Sequence, residues 1–280
     1  MIKIKRNPYE QDLAKDLLKE SYYYEFLAEG NNGEVYYFIL NKDTKIKHVN
    51  LKKGKYILKI NWDLSSNIEQ LIELSDLKLI PKIYYADEKI SIMSYFEGVT
   101  FDKILEDPEN HFIEKIMRNI IHEFHKWKKA KASHGDIHEG NILVNKKGNV
   151  IFIDPDYNNF YDYDNIDFSG LILSHLNLSD LDFRNIDLDC CDLSYSNFYN
   201  SNLYNVNLSE SDLTGADLSY SDLSNADLSY CVLYKTDFTK AIINENTSFT
   251  EAKDIEHTIG LNLKNPRASK IKKQKCKILK

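Results

Sequence analysis

The stretch His134-Gly135-Asp136-Ile137-His138-Glu139-Gly140-Asn141-Ile142-Leu143-Val144-Asn145-Lys146-Lys147-Gly148-Asn149-Val150-Ile151-Phe152-Ile153-Asp154 decides how this chain is read. Ile142-Leu143-Val144 and Val150-Ile151-Phe152-Ile153 are short apolar runs rich in β-branched residues, and Lys146-Lys147-Gly148-Asn149 between them has the composition of a tight turn. The pattern predicts a loop, a strand, a turn and a second strand that ends in a carboxylate. Such a hairpin gathers Asp136, Asn141 and Asp154 at one edge. Two carboxylates and an amide oxygen are hard donors, the set required by Mg2+ and a phosphoryl-accepting hydroxyl. The plainer alternative is a surface hairpin with Asp and Asn in its turns, which accounts for any one of these residues but not for the whole string.

An Asp, an Asn five positions later and, after a hairpin, a second Asp resemble the catalytic loop of the protein-kinase-like superfamily. The resemblance implies that Asp136 is the base that takes the proton of the acceptor hydroxyl, that Asn141 is a metal ligand, and that Asp154 stands for the metal-binding Asp of D-F-G. His134-Gly135-Asp136 replaces H-R-D, His138 follows the base by two, and Asp154-Pro155-Asp156 replaces D-F-G. H-G-D-I-H-x-G-N is closer to the aminoglycoside phosphotransferases and related small-molecule kinases. Without the loop arginine, the resemblance implies no requirement for activation-loop phosphorylation.

Upstream, the resemblance extends to about residue 20. Residues 8 to 20 read as an amphipathic helix with Leu13, Leu17 and Leu18 on one face. Phe26 to Ile39 is strand-like on both sides of Gly30-Asn31-Asn32-Gly33, and resembles the kinase glycine-rich loop with Ala28 in place of its first glycine. Gly30 and Gly33 would let the backbone approach the triphosphate, with Val35 just beyond; a plain Asn-Gly hairpin is the alternative. Lys59, on the strand Lys55 to Ile60, matches the phosphate-pairing lysine, unless it is an ordinary edge-strand lysine. The long spacing from Val35 to Lys59 predicts an extra hairpin over residues 42 to 55. Ser66-Asn67-Ile68-Glu69 is a capping box that opens a helix through about Leu77, and Glu69 or Glu73 would pair with Lys59, Glu69 fitting the family better. Met93 would wall an adenine pocket, and Ser94-Tyr95-Phe96-Glu97-Gly98 resembles the hinge, where main-chain groups at Ser94 and Phe96 would read the base edge. Residues 110 to 131 are helical, with Phe112, Ile113, Ile116, Ile120, Ile121 and Phe124 at core spacing.

From Phe168 an unbroken five-residue period runs through Leu173, Leu178, Phe183, Leu188 and onward to Phe238, with small residues such as Ser196, Ser201, Ser211, Ala216, Ser221 and Ala226 two positions before the later members. This resembles the pentapeptide-repeat family, which implies a right-handed quadrilateral β-solenoid. Four five-residue sides make a coil, with the large apolar and the small residue inward. About four coils stacked at the ~4.8 Å ladder spacing predict a rod on the order of 19 Å long. Ile166, Leu171, Leu176 and Leu181 occupy early positions where small residues belong. Residues 164 to 175 are therefore expected to be a kinase-core helix, with Asp167 anchoring the catalytic loop and the solenoid starting near Leu176.

The expected organisation is an α+β two-lobed kinase-like domain over 1–172 (N-lobe 20–93, hinge 94–98, reduced C-lobe 99–172), a solenoid over 173–250, and a cap with a basic tail over 251–280. Net charge is −7, which does not imply a general attraction of the whole protein to nucleic acid. The tail carries Lys264, Arg267, Lys270, Lys272, Lys273, Lys275, Lys277 and Lys280 without an acid, a solvated run or a contact for nucleic acid, an anionic membrane or the acidic solenoid of a second copy. No apolar run reaches membrane-spanning length and no signal core opens the chain, so a cytoplasmic protein is expected. Cys191 and Cys231 read as buried small hydrophobes. Together these features predict an ATP- and Mg2+-dependent phosphotransferase, with a protein hydroxyl as acceptor and the solenoid docking it. The alternatives are a small-molecule kinase and a pseudokinase that acts through its solenoid, including one that imitates duplex DNA toward a topoisomerase.

Overall fold

The structure is a computed structural model that describes residues 11–30, 33–47, 49–61, 68–86, 90–106, 112–130, 137–153 and 165–261. The chain folds as two compact units, 1–97 and 98–280.

In the first unit, α1 (Gln11–Glu20) is followed by β1 (Tyr23–Gly30), β2 (Gly33–Leu40), β3 (Thr44–Ile46), β4 (Val49–Leu51), β5 (Gly54–Asn61), α2 (Ile68–Asp76), β6 (Ile83–Ala86) and β7 (Ile90–Ser94). Five of the strands form one antiparallel sheet in the order β1-β2-β5-β7-β6. β3 and β4 pair as a separate hairpin, within the segment that the long spacing before Lys59 marked out. Leu13, Ala14, Leu17 and Leu18 of α1 are buried in one cluster with Phe38, Leu40, Leu58 and Ile92 of the sheet and with Ile46, Val49 and Leu51 of the hairpin. The helix exists because Leu13, Ala14, Leu17 and Leu18, related by steps of three and four residues, share one apolar stripe that this core covers.

The second unit opens with β8 (Val99–Thr100), α3 (Phe101–Leu105) and α4 (Ile113–Lys129), then β9 (Ile137–His138), β10 (Ile142–Val144) and β11 (Val150–Phe152). α4 buries Ile116, Met117, Ile120, Ile121, Phe124 and Trp127. Phe112, expected on that face, is 63% exposed: it precedes the first helical turn, where the helical period no longer aims a side chain. β10 and β11 form the expected antiparallel hairpin, Ile142 opposite Phe152 and Val144 opposite Val150, and β8 adds a third strand. Gly148 takes φ +78 in its turn, a conformation that disfavours any side chain.

The solenoid then begins at β12 (Ile166–Asp167), not near Leu176. Residues 165–175 are not a helix: Gly170 has φ +74 and Ile172 bridges Asp192 in parallel. Asp167 is exposed, its carboxylate accepts the Ser169 N–H like other Asp and Asn residues of the repeat, and it pairs beside His138; the loop residues 131–136 that it was expected to anchor lie outside the described residues. Bulky Ile166, Leu171, Leu176 and Leu181 stand at small-residue positions because no coil lies beneath them; Ile166 is fully buried, the three leucines half-exposed or less. Parallel bridges join residues twenty apart along successive coils, among them β12 to β13 (Ile186–Asp187) and Asp192 to Asp212. Every apolar residue of the period, from Phe168 to Phe238, is buried. A one-residue slip near Asn244 shifts the partner of Asp227 to Ser248, after which Phe249 points inward again and Ile255 closes the end within a short 3-10 turn.

The repeat's Asp and Asn do more than face water. The corners are Asx turns in which the side chain accepts the N–H two residues on, as Asp212 does from Thr214 and Asp217 from Ser219. The residue before the inward small one holds a left-handed backbone, as at Asn200, Asn205, Tyr220 and Asn225. Gly215 occupies such a corner for a further reason, since a Cβ there would lie 2.7 Å from the Tyr195 ring. Asp217→Ala is expected to cost about 1 kcal/mol, read as a lower urea midpoint. Among the described residues no helix is long and apolar enough to cross a membrane.

Candidate functional site

The loop that precedes the hairpin is built by its own sequence. Ile137 is buried in β9, and His138 caps the 3-10 turn Glu139–Asn141, its Nδ1 accepting the Gly140 N–H at 3.2 Å. A side chain at 140 would approach the His138 ring to 2.8 Å, so the ring could keep its capping position only by giving way. Directly after this turn, the Asn141 carbonyl accepts the Ile153 N–H at 2.9 Å. Positions 141 and 153 therefore sit side by side, one residue short of Asp154. Asp136 and Asp154 lie outside the described residues, as do His134, Asp156 and the basic tail.

In the first unit Gly30 pairs with Gly33 at the end of β1 and β2 where the chain passes from one strand to the other. Val35 stands opposite Ala28 on one side and Lys59 on the other, and Lys59 in turn opposite buried Ser91. Glu69 falls in the first turn of α2, with its side chain outside what is described, and Ser66, expected as the cap, also lies outside the described residues; Glu73 is exposed on the same helix. Met93 pairs with Ile57 and Ile83. Ser94 donates its N–H to Lys82 and accepts the Lys82 N–H at its hydroxyl, and Tyr95 donates to the Lys55 carbonyl. A base edge read by main-chain N–H groups here falls to positions beyond Tyr95, such as Phe96.

α4 holds the hairpin from one side: Lys115 Nζ reaches the Lys147 carbonyl at 2.8 Å, Asn119 Nδ2 the Gly148 carbonyl at 2.6 Å, and the Trp127 ring lies 6.0 Å from Phe152. The same helix meets the first solenoid coil through Glu114, Arg118 and His125. No sequence signal marked these three, because their targets are main-chain groups.

Charge around this coil is uneven. Burial pushes the Asp182 carboxyl up, but the Arg184 guanidinium and N–H, with His125 nearby, outweigh it and hold the carboxyl below its usual range. Burial raises Asp187, with Asp167 and Asp189 adding to the effect. Because the folded state binds the Asp187 proton more tightly, its ionisation costs stability above the folded pKa, and that cost vanishes below the unfolded one. Asp187→Asn keeps the acceptor for the Asp189 N–H, so this variant is expected to be the more stable at pH 7 and equal to wild type at pH 3, read by thermal melting. Burial pushes the Cys191 and Cys231 thiols up to about 12, which suits the small inward role expected of them. Among the described residues, Asp254, Glu256 and His257 also bring three ligand atoms within 4.8 Å, at the far end of the solenoid.

Residues 63–180 match the ABC1 atypical kinase-like domain, and residues 207–244 match pentapeptide repeats in eight copies. The chain thus joins a kinase-like segment to a pentapeptide-repeat segment, as its motifs implied. A similar solved structure is that of HetL, a pentapeptide-repeat protein involved in heterocyst differentiation regulation in the cyanobacterium Nostoc sp. strain PCC 7120. It is 26% identical with a TM-score of 0.28, over 34% of this chain and 41% of that one. The chain therefore spans less than half of that protein's length. No curated protein matches the chain.

Proposed function

We propose that the protein is an ATP- and Mg2+-dependent phosphotransferase that acts on a hydroxyl, with a protein as acceptor. The observation that carries this reading is the bond from Ile153 N–H to the Asn141 carbonyl, which supports Asn141 and the residue after Ile153 as neighbouring oxygen ligands. Asn141 and Asp154 offer hard oxygens and no sulfur or imidazole, a donor set that fits Mg2+. Bound Mg2+ supplies charge neutralisation on the transferring phosphoryl group. Asp136 accepts the proton of the acceptor hydroxyl. In the first unit, Gly30 and Gly33 cover the phosphates beside Val35, Lys59 with Glu69 clamps them, and Met93, Ser94 and Phe96 surround the base. The sheet order β1-β2-β5-β7-β6, with α2 between β5 and β6 in the chain, supports a two-lobed kinase-like domain. A quadrilateral form for the solenoid, four five-residue sides to a coil, is supported by its twenty-residue bridge spacing; its right-handed sense rests on the resemblance to pentapeptide repeats. The solenoid presents a rigid surface suited to a large acceptor, whereas the loop sequence favours the small-molecule branch.

Transfer of label from γ-labelled ATP to the protein itself or to a generic protein acceptor tests the reading, with Mg–ATP binding followed by calorimetry. Absence of binding in the presence of Mg2+ overturns it. Binding without transfer to any protein or aminoglycoside acceptor would favour an interaction protein, a role consistent with Ala28 and Asp154-Pro155-Asp156 at the departing positions.

A further inference from the structure

The first coil of the solenoid has an edge that faces away from the second coil. In interior coils the equivalent groups pair with the coil before: Leu178 N–H donates to the Asn197 carbonyl, Asp180 N–H to Tyr199, Phe183 N–H to Asn202, and Asn197 N–H itself donates to Leu176. The corresponding first-coil groups are the carbonyls of Asn177, Ser179 and Asp182 and the N–H of Asn177. Left bare, such an edge carries unsatisfied main-chain groups and invites pairing with another chain.

All four are taken by α4. Arg118 Nη2 donates to the Asn177 carbonyl at 3.2 Å and Nη1 to Ser179 at 3.1 Å. His125 Nε2 lies 2.9 Å from the Asp182 carbonyl, and Glu114 Oε1 accepts the Asn177 N–H at 2.8 Å. On a third side the missing coil is supplied by β9, which pairs in parallel with β12, Ile137 beside Ile166 and His138 beside Asp167, while Ile172 on the fourth side is exposed. The ladder therefore runs from the loop residue next to Asp136 through Ile166 to Ile186. Ile137 and Ile166 are both buried along it.

We propose that the first solenoid coil is the positioning element of the catalytic loop. It takes Ile137–His138 as its lowest rung while α4, clamped to the same coil by Glu114, Arg118 and His125, holds the hairpin that carries Asn141. This deepens the phosphotransferase reading and rests on it. Asp136 and Asn141 are the catalytic groups; Arg118 and Ile166 act through them. The rod is then part of what aligns the reaction, and a partner that deforms the first coil would change turnover without touching the nucleotide.

The test compares Arg118→Met, which keeps an unbranched stem but loses both donors, with Arg118→Lys, which keeps the charge and can reach one carbonyl. Turnover is expressed per nucleotide-binding site, counted by calorimetry, so that loss of folded protein does not enter. Arg118→Met is expected to lower it about tenfold or more, with the Mg–ATP Kd within about twofold of wild type and Arg118→Lys intermediate. Amide exchange across residues 137–141 should quicken about tenfold, while residues 203–238 stay as slow as in wild type. Ile166→Ala, with Ile166→Val as its conservative partner, should repeat the pattern from the other side of the ladder. Unchanged loop exchange in both Arg118→Met and Ile166→Ala overturns the proposal, and so does unchanged turnover per site. If wild type binds no Mg–ATP, the phosphotransferase reading fails separately, and loop exchange alone decides whether the coil holds the loop.

Discussion

Asp136→Asn is expected to lower phosphotransfer by about 10²–10⁴-fold while Mg–ATP binding persists. The amide has the size of the carboxylate and can hold the acceptor hydroxyl by a hydrogen bond, but it cannot take its proton. Under the proposed reading the loss belongs to turnover and not to affinity, because that reading assigns Asp136 to the acceptor and Asn141 and Asp154 to the metal. Steady-state kinetics paired with calorimetry separates the two. Equal loss of binding and turnover would mean that Asp136 supports the metal instead, and unchanged turnover would mean that another group is the base.

Phe198→Ala is expected to destabilise the solenoid by about 3–5 kcal/mol. Phe198 is fully buried, and its ring meets Phe183 edge-on at 5.2 Å between centroids. The cavity cannot close by local collapse, because the coil is pinned above and below by main-chain bonds such as Phe198 N–H to Asp217 and Leu178 N–H to Asn197. Chemical denaturation reads the effect. Since each coil leans only on its neighbours, exchange should quicken most in the coils that flank Phe198 and least near Phe249. A uniform change along the rod would contradict this nearest-neighbour account.

Much of the architecture is legible in local pattern. Leu13, Leu17 and Leu18 at helical spacing mark α1 and its buried face. The β-branched runs around Gly148 mark the hairpin, and the spacing before Lys59 marks the β3–β4 insertion. Pattern misleads where a residue's neighbour is remote. Ile166 and Leu171 look too large for a repeat, since they stand in the first coil, where β9 and not another coil lies beside Ile166, and their size does not answer to their neighbours in sequence. Asp167 looks special for the same reason, yet its carboxylate does what Asp217 does in the middle of the rod. The candidate site divides likewise: the types and spacing of Asp136, Asn141 and Asp154 are local, whereas the partners of α4 are not.

The linear order of residues is enough to specify the buried ladder from Phe168 to Phe238, because a five-residue recurrence of apolar side chains has one way to share an interior. It also specifies the turn that brings Ile153 beside Asn141, through the pairing of two adjacent strands. Only the tertiary structure decides that the rod begins at Ile166, that β9 is its lowest rung, and that Arg118 spans the Asn177 and Ser179 carbonyls. Those choices turn on unpaired main-chain groups at the end of a stack. Every residue there carries the same amide and carbonyl, so side-chain identity leaves no mark of which ones a distant helix must satisfy.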